Sequence, residues 1–198
     1  MTTRSIANIT LRAKGLEDGP VTDQEVESAR QVLRQRGEGI IDAIHIIGLC
    51  GGADDRPLLE TYLQGDENDV LAEYALKALC RYLQLTDRYR PLLRGWMKDK
   101  NDEFRRLSAI HLAKEYFHNF EDDELGQYLI DVLCDLDDSC RTAVQGAFVA
   151  ILNMKKELAD PYGLQFKDWD ADTTLIVKAA AARFNDRRPL LLSGCALH

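Results

Sequence analysis

Residues 55–79, DRPLLETYLQGDENDVLAEYALKAL, and residues 90–112, RPLLRGWMKDKNDEFRRLSAIHL, can be laid one over the other. Pro57-Leu58-Leu59 falls over Pro91-Leu92-Leu93, and Asn68-Asp69 falls over Asn101-Asp102. Leu71, Ala75, Ala78 and Leu79 fall over Phe104, Ser108, His111 and Leu112. The offsets are 34 and 33 residues. A unit of this length, repeated, is the mark of stacked helix pairs, in which each pair buries its apolar face against the next.

Working outward, the first helix of one pair is predicted from Pro57 to Leu63 and the second from Asp69 to Leu83, with Gly65-Asp66-Glu67-Asn68 as the turn. Proline suits the first turn of a helix, where its missing N–H would be unbonded anyway. The next pair is predicted over Tyr89–Met97 and Asp102–Phe117, and a third over Asp123–Leu133 and Asp138–Leu152. In the third, Cys140, Val144, Ala147 and Phe148 take the positions of Leu71, Ala75, Ala78 and Leu79. Small residues at these inner positions let neighbouring helices approach closely.

Upstream, Thr22-Asp-Gln-Glu25 has the form of a capping box, and Val26, Ala29, Val32 and Leu33 follow at helical spacing. Gly37 and Gly39 are expected to end that helix. Ile40 to Leu49 is too apolar to face water and too short to span a bilayer, so burial between neighbours is predicted. It fits a degenerate first unit, with Gly48 over Ala78 and Leu49 over Leu79. Residues 1–20 are weakly patterned. After Leu152, Asp160-Pro161-Tyr162-Gly163 reads as a turn, Phe166 and Trp169 add two aromatics, and Thr173–Phe184 reads as a final helix. The Pro189-Leu-Leu-Leu192 tail is expected to be ordered only in part. The whole is expected to form one domain, with residues 1–39 as N-terminal segment and cap, 40–152 as repeats and 153–198 as C-terminal cap and tail.

Proline near the start of the first helix, an Asn-Asp or Asp-Asp turn, then Leu/Val-x-x-x-Ala-x-x-Ala-Leu resembles the HEAT repeat of the armadillo-like solenoids. Arg105 and Arg141 stand where that pattern often places arginine after the turn, and Ala72 departs from it. The resemblance covers about residues 40–152. It implies an all-α fold, a short right-handed α-α superhelix with helical caps, whose second helices line a concave face. It implies protein binding as the commonest role.

The bulk properties agree with such a role. Among 198 residues, 45% are hydrophobic and 29% charged, the balance of a water-soluble globular chain. A net charge of −8 argues against a nucleic-acid backbone as main ligand and fits a protein partner with a basic surface. The first twenty residues lack a continuous apolar core, so no secretory signal is expected, and no run of about 18 apolar residues suggests a membrane partner. The five cysteines, Cys50, Cys80, Cys134, Cys140 and Cys195, are odd in number and lack CxxC spacing, which points to reduced thiols in the cytoplasm.

Two sets of residues are candidates for contact with that partner. The first is acidic: Glu121, Asp122, Asp123, Glu124, Asp131, Asp135, Asp137 and Asp138 lie between Asn119 and Cys140 with no Lys or Arg among them. Carboxylates at helix N-termini account for part of this run. The rest reads either as a solvated face or as a docking surface that speeds capture of a basic partner. Its spacing is not that of a calcium loop and lacks the loop's glycine. The second set lies where second helices would line a groove: Glu73, Lys77, Arg105, Arg106 and Arg141, with Tyr74, Tyr82 and Trp96 as aromatic anchors or core. His45 and His111 read as core histidines, and Cys50 and Cys80 as small buried residues. No cofactor or metal is indicated.

The function expected is a non-enzymatic binder or adaptor, one form of which is a bacterial immunity-type protein that occludes a basic toxin domain. Small HEAT-like proteins also include chromophore lyases and base-excision enzymes, so a ligand-binding enzyme with a groove lined by Glu73, Tyr74, Arg105 and His111 is the alternative. A scaffold subunit of a larger complex is the third reading.

Overall fold

A computed structural model describes residues 5–64, 69–160 and 169–188. The expected turns at 65–68 and 161–163, the aromatic Phe166, Cys195 and the 189–192 tail lie outside them. Every regular element among the described residues is helical. The chain forms two compact units, residues 1–89 and 90–198.

The N-terminal unit holds α1 (Ile6–Ala13), α2 (Asp23–Gln35), α3 (Ile40–Cys50), the one-turn α4 (Arg56–Glu60) and α5 (Asp69–Lys77). The capping box forms in full. Thr22 Oγ1 accepts from the Glu25 N–H at 3.3 Å, and the Thr22 N–H donates to Glu25 Oε2 at 2.9 Å. Glu25 also receives the buried Arg12 guanidinium, whose Nη1 donates to Oε2 at 3.2 Å, and this tethers α1 to the start of α2. α1 itself was not visible in the weak pattern of residues 1–20. Its signal is short: Ile9 and Thr10 are buried, and Thr10 Oγ1 hydrogen-bonds back to the Ile6 carbonyl.

α2 ends on Arg36 in the left-handed conformation (φ 50°), one residue before the expected glycine. The Gly37 N–H closes the turn onto the Val32 carbonyl at 3.1 Å. The Arg36 guanidinium then lies over the Tyr62 ring, 5.2 Å from its centroid, a cation–π contact that favours this conformation at a non-glycine residue. α3 is buried as expected over Ala43–Gly48, but its last turn is not: Leu49 and Cys50 are exposed. The match of Leu49 to fully buried Leu79 therefore fails at that turn, because α3 stops at Gly51 before any neighbour covers it.

α5 passes into a π-helical turn, Ala78–Tyr82, closed by the Leu83 N–H on the Ala78 carbonyl at 2.9 Å. This widening puts Ala78, Leu79 and Cys80 all inside. Here the expected close approach is found. A Cβ built on Gly48 would lie 2.9 Å from Ala78 Cβ and 2.8 Å from Tyr82 Cδ2.

α6 (Thr86–Lys98) carries the chain across the boundary. It starts earlier than Tyr89, with Pro91 inside it. Buried Thr86, whose Oγ1 donates to the Cys80 carbonyl at 3.1 Å, anchors its first turn. The C-terminal unit continues with α7 (Glu103–Ile110), α8 (Ala113–Asn119), α9 (Asp123–Cys134), α10 (Arg141–Leu152) and α11 (Trp169–Arg183). The single helix expected over Asp102–Phe117 is two. The Leu112 N–H tightens onto the Ala109 carbonyl, which buries Leu112, Ala113, Tyr116 and Phe117 and leaves His111 exposed rather than in the core. Asp102 and Asp122 cap α7 and α9, accepting from the N–H groups of Arg105 and Leu125, each at 3.0 Å. Asn153, left-handed at φ 56°, ends α10. Phe184, Phe148 and Phe117 fill the core between α9, α10 and α11, and Phe184 lies flat on Gly126, where any side chain would meet its ring.

Candidate docking surface

The acidic run is not a set of unpaired carboxylates. Bases reach it from distant parts of the sequence. Asp122, besides capping α9, accepts from Arg94 Nε at 2.9 Å and from the Tyr116 hydroxyl at 2.6 Å. Glu124 receives Lys98 Nζ at 2.6 Å and Arg94 Nη2 at 2.8 Å. Asp123 accepts from Asn185 Nδ2 at 2.7 Å. Asp138 is buried in a bidentate pair with Arg106, at 3.0 and 2.7 Å. Burial alone would push the Asp138 carboxyl up, but the Arg106 guanidinium and the Cys140 N–H outweigh it and hold it below the usual range. Asp122 behaves alike: burial opposes its charge, and Tyr116, the Leu125 N–H and Arg94 restore it.

What stays open is the C-terminal end of α9 and the loop after it. Asp135 and Asp137 are exposed, and between them Leu136 keeps 56% of its surface in water. Asp135 folds the loop by accepting from the Asp137 N–H at 3.0 Å. Arg141 Nε donates to the Leu133 carbonyl at 2.8 Å and so closes the end of α9 beneath it. Asp131, one helical turn before Asp135, is exposed and holds Arg188, whose two terminal nitrogens lie 3.0 and 2.9 Å from its oxygens. Asp186 grips the same guanidinium, and the pair raises its pKa. Glu121 is exposed at the opposite end of α9.

The expected groove residues separate. Glu73 and Lys77 sit half-buried on α5 in the N-terminal unit. Arg105 is half-buried on α7, with its guanidinium over the Trp96 ring at 5.5 Å and paired with Asp102 at 3.2 Å. Arg106 and Arg141 hold the fold in the ways just described. Arg106 in particular is buried and leaves no face for a partner. One residue that the sequence did not single out belongs to the open surface: Leu136, an aliphatic residue set between acids outside any helical pattern; Arg188, which joins it, ends the basic stretch Arg183–Arg188 of the sequence.

Comparison with protein-family models, with curated proteins and with solved structures returns no match to this chain. The likeness to HEAT repeats rests on the residues quoted above. Among the described residues, no helix is long and apolar enough to cross a membrane, and no three His, Cys, Asp or Glu side chains converge as metal ligands. Cys50 and Cys140 are free thiols.

Proposed function

We propose that this chain is a protein-binding module, built as a short right-handed HEAT-like solenoid, that captures a basic partner on the surface formed by Asp131, Asp135, Leu136 and Asp137. The observation that carries the reading is Leu136. A half-exposed leucine ringed by carboxylates is the composition of an interface centre with a polar rim: the side chain supplies apolar area, the acids supply steering and register. Arg188 supports it, since the same patch already holds a guanidinium of this chain in a bidentate grip. The net charge of −8 suits a dedicated binder of a basic partner acting in the cytoplasm.

Affinity capture from native lysate at low and moderate salt tests this, with the wild-type chain beside Leu136→Asp and the double variant Asp135→Lys, Asp137→Lys. One basic protein held in stoichiometric amount by the wild type, weakened by salt and lost from both variants, is expected. Equal capture by all three chains contradicts the assignment. A large assembly retained by every variant would instead favour a scaffold subunit.

A further inference from the structure

Asp123, Gln127 and Asp131 stand at i, i+4 and i+8 along one face of α9, and Asp135 follows one turn later. The segment after α11 lies along the first three. Fully buried Phe184 fixes its start, and the Phe184 carbonyl accepts from Gln127 Nε2 at 3.0 Å. Asn185, left-handed at φ 53°, turns the chain, and its Nδ2 donates to Asp123 at 2.7 Å. The Asp186 N–H closes onto the Ala181 carbonyl at 2.9 Å. Arg188 then reaches Asp131.

The place that Arg188 occupies is shaped for a guanidinium. Asp131 takes Nη1 at 3.0 Å and Nη2 at 2.9 Å. Asp186 takes Nε at 2.9 Å and Nη2 at 2.7 Å, and the Gln127 carbonyl takes Nη2 at 3.3 Å. Acceptors therefore meet two edges of one planar fork. An ammonium, a point charge on a flexible stem, reproduces no such pattern. The two carboxylates repel each other when no cation lies between them, so the site favours being filled.

The two sides of the fork are held differently. The Asp186 side chain is 1% exposed, and it also accepts from the Arg188 backbone N–H at 3.0 Å. On the other side, Asp131 and Arg188 keep 58% and 49% of their side-chain surface in water. An ion pair so exposed has little net strength, because water and salt compete for both charges. The contact with Asp131 is therefore the one that a competitor opens, while the anchors at Phe184, Asn185 and Asp186 stay in place.

We propose that Arg188 is a built-in competitor: its guanidinium occupies Asp131 on the docking surface until an arginine of the partner displaces it. This rests on the docking reading above and adds two things to it. The partner residue that meets Asp131 is arginine rather than lysine. The free chain also binds below its full strength, because the open site is only a fraction of the population.

The test is titration of the full-length chain with fluorescent octa-arginine and octa-lysine peptides at low salt, read by anisotropy. The wild type is expected to hold octa-arginine more tightly than octa-lysine. Arg188→Gln should tighten octa-arginine by about three- to fivefold, the weight of one exposed ion pair. Arg187→Gln removes the same charge from the exposed neighbouring residue and should change little. In a chain carrying Asp131→Asn, Arg188→Gln should give no gain beyond that of Arg187→Gln. All three positions are exposed, and thermal melts check that the variants keep the fold. Equal affinity of wild type and Arg188→Gln, an equal gain from Arg187→Gln, or a gain that persists without Asp131 overturns the competitor while leaving the docking surface, as long as Asp135→Lys with Asp137→Lys still abolishes binding. Binding that is absent, or indifferent to that double variant, overturns the docking reading and the competitor with it.

Discussion

Arg106 and Asp138 face each other 32 residues apart in sequence as a fully desolvated, bidentate ion pair, with side chains 5% and 6% exposed. Asp138 also accepts from the Cys140 N–H at 2.9 Å, so one carboxylate ties α7 to the start of α10. Removing one partner of such a pair strands the other charge. Asp138→Asn is expected to cost about 3–5 kcal/mol, whereas Arg106→Met, which leaves a carboxylate still bonded to a backbone N–H, should cost less. Urea denaturation of both variants checks the order. Equal losses would mean that the pair is more solvated than its geometry implies.

Gly126 closes the first turn of α9, where alanine would ordinarily add up to about 1 kcal/mol of helix stability. The Phe184 ring occupies the space of the missing side chain. Gly126→Ala is therefore expected to destabilise, by about 1–3 kcal/mol, with the sign reversed from propensity. Calorimetry reads the sign directly, and Phe184→Leu in the same chain should recover part of the loss.

Ala78 and Gly48 meet where the π turn crosses α3. Ala78→Leu is expected to overpack this contact by about 1–3 kcal/mol. An unchanged melting temperature would show that the two helices separate there without cost.

Acid should act in two stages. His45 is held down to about 4 by burial first, then by Lys14 and Lys77. Its folded pKa lies below the unfolded value of about 6.5, so its neutral form contributes fully above that pH and the contribution is lost as pH falls toward 4. Allowing for solvent at the ring edge, the step is on the order of 1–2 kcal/mol. The carboxylates form the second stage. Glu25 is lowered to about 2, chiefly by the Arg12 hydrogen bond, and Asp138 and Asp122 are also lowered. Their stabilisation is present above their unfolded values near 4 and is lost below them. Denaturation midpoints measured across this range should show both stages, and His45→Phe should flatten only the upper one.

Much of the local structure was legible in residues that act on near neighbours. The Thr22–Glu25 capping box, the burial of Ala43 to Gly48 and the close approach at Ala78 each follow from spacing within one helix or one repeat. What was not legible depends on groups far away in sequence. No rule of spacing joins Arg188 to Asp131 or Lys98 to Glu124, so the acidic run looked unpaired. Arg36 takes a left-handed end in place of glycine beside Tyr62, a contact across two helices. The break at His111 is set by the burial of Leu112 and Tyr116 together, which no helical period announces. Of the candidate surface, the acids were visible, while Leu136 became a candidate only once its exposure was known.

The most direct test of the central claim is site-specific photo-crosslinking in native lysate. A photo-reactive phenylalanine derivative is placed at Leu136, and a control at exposed Gln31 on α2. Capture at position 136, and not at 31, of one Lys/Arg-rich segment from a single protein, suppressed by added salt, is the predicted result. Crosslinks to an acidic or uncharged segment, or none above the Gln31 control, would contradict it.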